Sequence, residues 1–256
     1  MDLEQFRIDR KDGIATVTFD RPPVNAQNFR TRTELTWVFD TLSDDPDIRC
    51  VILTGGGKVF SAGADIKERR SMTAQRGDYI RHNRVTRESF YAIRDCAKPV
   101  IGAINGAAIG AGYALMACCD ILLASETAYV QMPEIDVGLA GGAKFLELFP
   151  RTKARMMFFT GRRVPAQELY RLGIVEECLA PEALMPAALA MAAEIAAKSP
   201  VALARNKHAF NTVEEMSLRE GYRFEQGVSA ELSLTEDTRE AQRAFAEKRK
   251  PVFGKR

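Results

Sequence analysis

Phe60-Ser-Ala-Gly-Ala-Asp-Ile-Lys67 and, further along, Asn105-Gly-Ala-Ala-Ile-Gly-Ala-Gly-Tyr-Ala-Leu-Met-Ala-Cys-Cys-Asp-Ile121 are two glycine-rich segments that share one local pattern. Each follows an apolar, β-branched run, Cys50-Val-Ile-Leu-Thr54 in one case and Pro99-Val-Ile-Gly-Ala-Ile104 in the other, and each leads into helix-forming sequence. The pattern predicts strand, tight turn and helix start, twice over. Backbone N–H groups at such a turn have no intrahelical partner and point toward any negative oxygen nearby. Two of them converging on one carbonyl oxygen would stabilise an enolate or tetrahedral anion, each worth about 3 kcal/mol. Small residues suit the position because a large side chain would block the backbone's approach to a ligand.

Outward from these two segments the chain alternates between strand and helix patterns. Ile14-Ala-Thr-Val-Thr-Phe19 reads as a strand, joined by a turn at Asp12-Gly13 to Phe6-Arg-Ile8. Leu35, Val38, Phe39 and Leu42 recur at helical spacing within residues 29–43. Further strands are predicted at 99–104, 120–124, 128–131 and 174–178, and helices at 78–96, 110–118, 143–149, 153–160 and 166–172. Such alternation points to an α/β core with crossover connections. From Pro181 the character changes: residues 182–198 are alanine-rich and 201–248 are helix-forming and free of proline, which predicts a helical appendage. The resulting division is a core over 1–198 and a helical C-terminal region over 199–256.

Length and composition are compatible with one large domain or two small ones: 256 residues, 46% of them apolar. The net charge of +2, from 36 basic and 34 acidic residues spread along the chain, leaves no general electrostatic footprint for nucleic acid. Five cysteines without C-x-x-C spacing suggest neither a disulfide framework nor a zinc site. His82 and His208 are far apart in sequence and lack ligand spacing, so no metal is expected. The absence of a long uncharged apolar run, and of a signal-peptide pattern after Met1, leads us to expect a soluble cytoplasmic protein with no membrane partner.

The two segments resemble the hallmark loops of the enoyl-CoA hydratase/isomerase family, the crotonase superfamily, which carries F-S-A-G-A-D and N-G-x-x-x-G-x-G. The resemblance extends to Pro23-Val-Asn25, Met132-Pro-Glu-Ile-Asp-Val-Gly138, Thr160-Gly-Arg162, Ala166 to Gly173 and Phe245-Ala-Glu-Lys-Arg-Lys250, nearly end to end. It implies a ββα spiral core with a helical C-terminal region that builds homotrimers or dimers of trimers. It also implies an acyl-CoA thioester as substrate, with no cofactor beyond the coenzyme A of the substrate itself.

By the same resemblance the two N–H donors belong to Ala64 and Ala111. Family hydratases use two glutamates, and here one is present as Glu134 while the place of the other is held by Ala114, beside Tyr113. Alanine neither orients water nor exchanges a proton, which points away from ordinary hydration by paired carboxylates. Family isomerases manage with a single carboxylate in the region of Glu134. Three groups are candidates to take up the missing role or to shape the pocket. Tyr113 would fill the vacated volume or act as a weak acid, and Asp136 would supply a second carboxylate if the local chain is extended. Gly142 lies in Gly138-Leu-Ala-Gly-Gly-Ala-Lys144, which is shorter than the family's usual glycine-rich run. For coenzyme A, the resemblance singles out Ala62, Asp65, Ile66 and Lys67, with Lys248 from an adjacent subunit; Asp65 also suits a helix cap. Isomerisation by Glu134 is the leading expectation. A hydratase or dehydratase with a displaced second acid, and an acyl-CoA-binding protein without catalysis, are the alternatives.

Overall fold

A computed structural model describes residues 1–71, 76–139 and 141–254. The chain opens with β1 (Phe6–Lys11) and β2 (Ile14–Phe19), an antiparallel pair in which Phe6 stacks on Phe19, ring centroids 4.9 Å apart. After β3 (Ala26–Gln27), Asn28 caps α1 (Phe29–Asp44): its side chain accepts from Thr31 N–H while the Thr31 hydroxyl accepts from Asn28 N–H. The buried stripe of α1 contains Leu35, Val38, Phe39 and Leu42, as its periodicity predicts.

A repeating unit follows. β4 (Cys50–Gly55), β5 (Val59–Ser61) and β6 (Gly63–Ala64) lead to α2 (Ile66–Ser71) and α3 (Arg76–Asp95). β7 (Val100–Ile104) and β8 (Ala107–Ile109) lead to α4 (Ala111–Ala117). β9 (Ile121–Ser125) and β10 (Tyr129–Gln131) lead to two 3₁₀ helices, Pro133–Val137 and Lys144–Leu148, and then α5 (Arg151–Thr160). Each turn thus places its first strand in a six-stranded sheet, order β1-β2-β4-β7-β9-β12, and its next in a four-stranded sheet, order β11-β10-β8-β5. Among the described residues β3 pairs only with β6. The remaining elements are β11 (Val164–Pro165), α6 (Ala166–Arg171), β12 (Glu177–Leu179), α7 (Pro181–Ala196), α8 (Pro200–Val213), α9 (Leu218–Ser233) and α10 (Glu236–Ala246). The result is a ββα spiral, as the family resemblance implies.

β4 and β7 are buried along their whole length, the state of central parallel strands covered on both faces. On one face lie α1, α3 and α4. On the other lies α7, whose Leu184, Ala188, Ala192 and Ala196, spaced by four, pack on Ile14, Cys50, Ile52, Ile101, Ala103 and Leu123. The alanine-rich stretch therefore forms a wall of the core. Small side chains let a helix lie close on the sheet.

The sequence expectation at 174–178 is shifted: the strand is Glu177–Leu179, and residues 174–176 turn into it. The helix expected at 143–149 is a 3₁₀ turn. Among the described residues no single helix is long and apolar enough to cross a membrane.

Candidate active site

The first turn is built by hydrogen bonds from both sides. Ala62 N–H donates to Val24 O (3.0 Å) and Asp65 N–H to Gln27 O (2.8 Å), which fastens the segment to β3. Gly63 adopts φ +86°, and its N–H donates to Ser61 Oγ (3.3 Å). In the parallel register Ala26↔Gly63 and Gln27↔Ala64, the ladder uses Asp65 N–H, so the N–H of Ala64 points away from β3.

The second turn follows β8. Gly110, at φ +52° and ψ −116°, donates its N–H to Gln131 O (2.9 Å) and caps α4. Ala111 is the first residue of that helix, and its N–H has no intrahelical acceptor.

The two turns meet. A Cβ at Gly63 would lie 2.5 Å from Ile109 O and 3.3 Å from Ala111 N, and one at Gly112 would lie 2.2 Å from Ser61 O. Real Cβ contacts do not occur below 3 Å, so glycine is required for this approach. Gly63 needs it twice over, because its φ also disfavours a side chain.

Glu134 reaches the same place from a third element. β10 runs parallel to β8 with Val130 opposite Ala108 and Gln131 opposite Ile109. The chain then enters the 3₁₀ helix with Pro133 in its first turn, where the missing N–H costs nothing. Gly138, at φ +67°, ends it, and its N–H donates to Ile135 O (3.2 Å). This register carries Glu134 beside the second turn: a Cβ at Gly110 would stand 2.7 Å from Glu134 Oε1. Glu134 itself is half-buried.

The other candidate residues separate into groups. Tyr113 is fully buried, packs near Phe149, and donates its hydroxyl to Phe145 O (2.7 Å). Burial pushes that hydroxyl above its ordinary value of 10, so it stays protonated, with its proton committed to Phe145 O. Ala114 is buried one residue on, with its N–H bonded to Gly110 O. The extended backbone that would have turned Asp136 into a second carboxylate is not found. The 3₁₀ helix separates Glu134 and Asp136 by about 240°. Asp136 is exposed, and its Oδ2 lies 2.7 Å from where a Cβ at Gly161 would be. Gly142, at φ +76°, has the Met132 methyl 2.4 Å from its would-be Cβ, so the glycine-rich run packs against the residue just before Pro133. Ala140 of that run lies outside the described residues.

Asp65 is held hard. Its carboxylate accepts from Lys67 N–H (2.9 Å), Glu68 N–H (3.4 Å) and Arg21 (2.8 Å). Burial opposes its charge, but the Arg21 guanidinium and the two N–H donors outweigh it and hold the carboxyl below its usual range. Ala62 is half-buried, while Ile66 and Lys67 are exposed on the rim. Lys248 follows α10, is exposed, and precedes a tail in which Phe253 O accepts from Arg49, just before β4.

Asn25, in the Pro23-Val-Asn25 motif, supports the site from below. It sits at φ +53°, a conformation asparagine tolerates better than most residues. Its Nδ2 donates to Gly56 O (2.9 Å) and Val59 O (2.7 Å) while Oδ1 accepts from Arg21 N–H, tying three loops under the first turn. The five cysteines are all free, and burial pushes Cys50 and Cys118 up to about 12. None is suited to act as a thiolate at neutral pH.

Residues 9–256 match the family model described as enoyl-CoA hydratase/isomerase. The chain is 38% identical over 241 residues to (7aS)-7a-methyl-1,5-dioxo-2,3,5,6,7,7a-hexahydro-1H-indene-carboxyl-CoA hydrolase of Rhodococcus jostii, covering 94% of this chain and 93% of that one. It is 35% identical over 259 residues to carnitinyl-CoA dehydratase of Citrobacter koseri, covering 98% of each. The crystal structure of an enoyl-CoA hydratase from Bacillus anthracis superposes with a TM-score of 0.93 at 30% identity, over 99% of this chain and 100% of that one. The two glycine turns, the glutamate brought beside them and these likenesses along almost the whole chain lead to one conclusion: the protein belongs to the enoyl-CoA hydratase/isomerase family.

Proposed function

We propose that the protein isomerises an unsaturated acyl-CoA, moving the double bond from C3 to C2 through a dienolate, with Glu134 as its single acid–base group. The observation that carries this reading is the approach of Glu134 Oε1 to Gly110 at the place where the two turns meet. In this mechanism the N–H groups of Ala64 and Ala111 bind the thioester oxygen. The Glu134 carboxylate takes a proton from C2, and the electron pair spreads over the thioester and the adjoining double bond. The same carboxyl group returns the proton at C4, leaving the double bond between C2 and C3. Atoms and charge balance without an added cofactor.

The side chains nearby support one base and not two. Ala114 has no proton to give, Tyr113 is committed to Phe145 O, and Asp136 is directed toward Gly161. Incubation with a 3-enoyl-CoA, followed by the absorbance of the 2-enoyl product, tests the assignment. Glu134→Gln is expected to lower turnover by about 100- to 10,000-fold, the range that general acid–base groups supply. Absence of product at every chain length, or full activity in that variant, would refute it.

A second reading, hydration or dehydration, draws support from the likeness to carnitinyl-CoA dehydratase. Rapid hydration of crotonyl-CoA would favour it over isomerisation. A protein that binds acyl-CoA tightly but never exchanges the C2 hydrogen with solvent would instead be a binding protein.

For coenzyme A, Lys67 and the rim residues Ala62, Asp65 and Ile66 are the contacts we propose within one chain. We propose Lys248, in the exposed segment after α10, as a contact to the coenzyme A bound by a neighbouring copy. A homotrimer, or a pair of trimers, accommodates this. Phe210, Leu218, Tyr222, Leu234 and Phe245 on and between α8–α10 are exposed in the single chain and available for such assembly.

A further inference from the structure

One residue belongs to both turns at once. Ser61 ends β5, is fully buried, and pairs with Ala108 of β8 at an irregularity in the ladder between Val59 and Ser61. Its hydroxyl uses every hydrogen-bonding position that a hydroxyl has. It donates to Asn25 O (2.8 Å) and accepts from Gln27 Nε2 (3.2 Å) and from Gly63 N–H (3.3 Å). The Gly63 bond fixes the residue directly before Ala64. The carbonyl of the same serine stands 2.2 Å from where a Cβ at Gly112 would be, so the first turn of α4 rests on the Ser61 peptide. Gln27, 1% exposed, holds the hydroxyl from β3, the strand to which the Ala64 segment is laced.

We infer that Ser61, held by Gln27, is the positioning residue that sets the spacing and aim of the Ala64 and Ala111 N–H groups, its side chain orienting one turn and its backbone spacing the other. The inference rests on the proposed oxyanion site and adds a residue that touches no substrate. The physical stake is geometric. Donors to a developing oxyanion act only when aimed at the place the charge will occupy, and a displacement of about 1 Å is enough to cost roughly 100-fold in rate.

The test uses the full chain with butyryl-CoA and octanoyl-CoA labelled with ¹³C at the thioester carbonyl. Two readouts are taken: the infrared frequency of the bound carbonyl, and the rate at which solvent deuterium enters C2. In the wild-type protein the carbonyl band is expected well below its position in free thioester. Ser61→Ala should return the band part of the way, slow exchange 10- to 100-fold and leave binding within threefold, without moving the pH profile of exchange. Ser61→Cys, which keeps the shape and a weak donor and acceptor, should fall between the two and serves if the alanine variant does not fold. A merely structural serine would lower the melting temperature without altering the carbonyl band of the protein that remains folded. A band and exchange rate unchanged in both serine variants, while Glu134→Gln abolishes exchange, would overturn this inference and leave the site reading standing. No carbonyl displacement in the wild-type protein, together with unaltered exchange in Glu134→Gln, would overturn the site reading and this inference with it.

Discussion

Gly63 and Gly112 carry the heaviest steric constraints in the site, because the atoms that a Cβ would strike are backbone oxygens that cannot rotate away. Gly63→Ala also places a side chain at φ +86°, and we expect it to cost about 3 kcal/mol in urea denaturation and to abolish turnover. Tyr113 provides the contrast. Tyr113→Phe removes one buried hydrogen bond and should cost about 1 kcal/mol in the same measurement. Its turnover should stay within threefold of wild type; a loss of two orders of magnitude would return Tyr113 to the chemistry. At this scale the sequence is readable where a residue type answers a local demand. Glycine at a turn and proline in the first turn of a 3₁₀ helix are of that kind, and so is Asp65 beneath the N–H groups of Lys67 and Glu68. Ser61 and Asn25 were legible only as letters in a motif, since their roles consist of partners on β3, β5 and the loops between them.

Helix α8 is fastened to the core by a buried ammonium. Lys207 Nζ lies 2.7 Å from Asp120 Oδ2 and donates to Ile93 O (3.3 Å) and Lys98 O (3.1 Å). Burial raises the Asp120 pKa and Lys207 works against that rise. Removing the lysine leaves two backbone carbonyls and the partly exposed Asp120 carboxylate without their cation, so Lys207→Ala should cost about 2 kcal/mol, less than a fully buried pair because the Asp120 side chain is 27% exposed. Thermal or urea unfolding reads this directly.

A different pair links α5 to α6. Glu168 accepts from Lys153 (2.7 Å) and from Arg171 (2.6 and 2.8 Å), which together bring its pKa from 4.5 down to about 2. A carboxyl depressed in the folded state adds stability that is complete above the unfolded value and disappears as pH falls toward the folded one. The melting temperature of Glu168→Gln should therefore lie below wild type at pH 7 and converge with it between about pH 4.5 and 2. A gap that stays constant across that window would show that the charge is not responsible.

At the scale of the whole molecule, the proposed assembly makes Lys248 a distinguishing probe. If it serves a neighbouring copy, Lys248→Glu should raise the KM for acyl-CoA several-fold with kcat little changed. Mixing it with a Glu134→Gln protein should then restore low-KM sites in proportion to the hybrids formed. Sedimentation of the full chain at three times 28.4 kDa, or six, is the companion measurement.

Alternating apolar residues and small-residue turns were enough to specify an α/β chain with two backbone turns, because such features depend on neighbours a few positions away, whereas Glu134 was singled out by the family resemblance of its Met132-Pro-Glu motif. Folding across the chain adds that α7 packs its alanines on the sheet, that a 3₁₀ helix turns Asp136 away from Glu134, and that Ser61 and Gly63 meet the start of α4, with Glu134 against Gly110. The meeting of the two turns depends on the register between strands distant in the chain. A slip of one residue would reverse every side chain, and no local pattern specifies it.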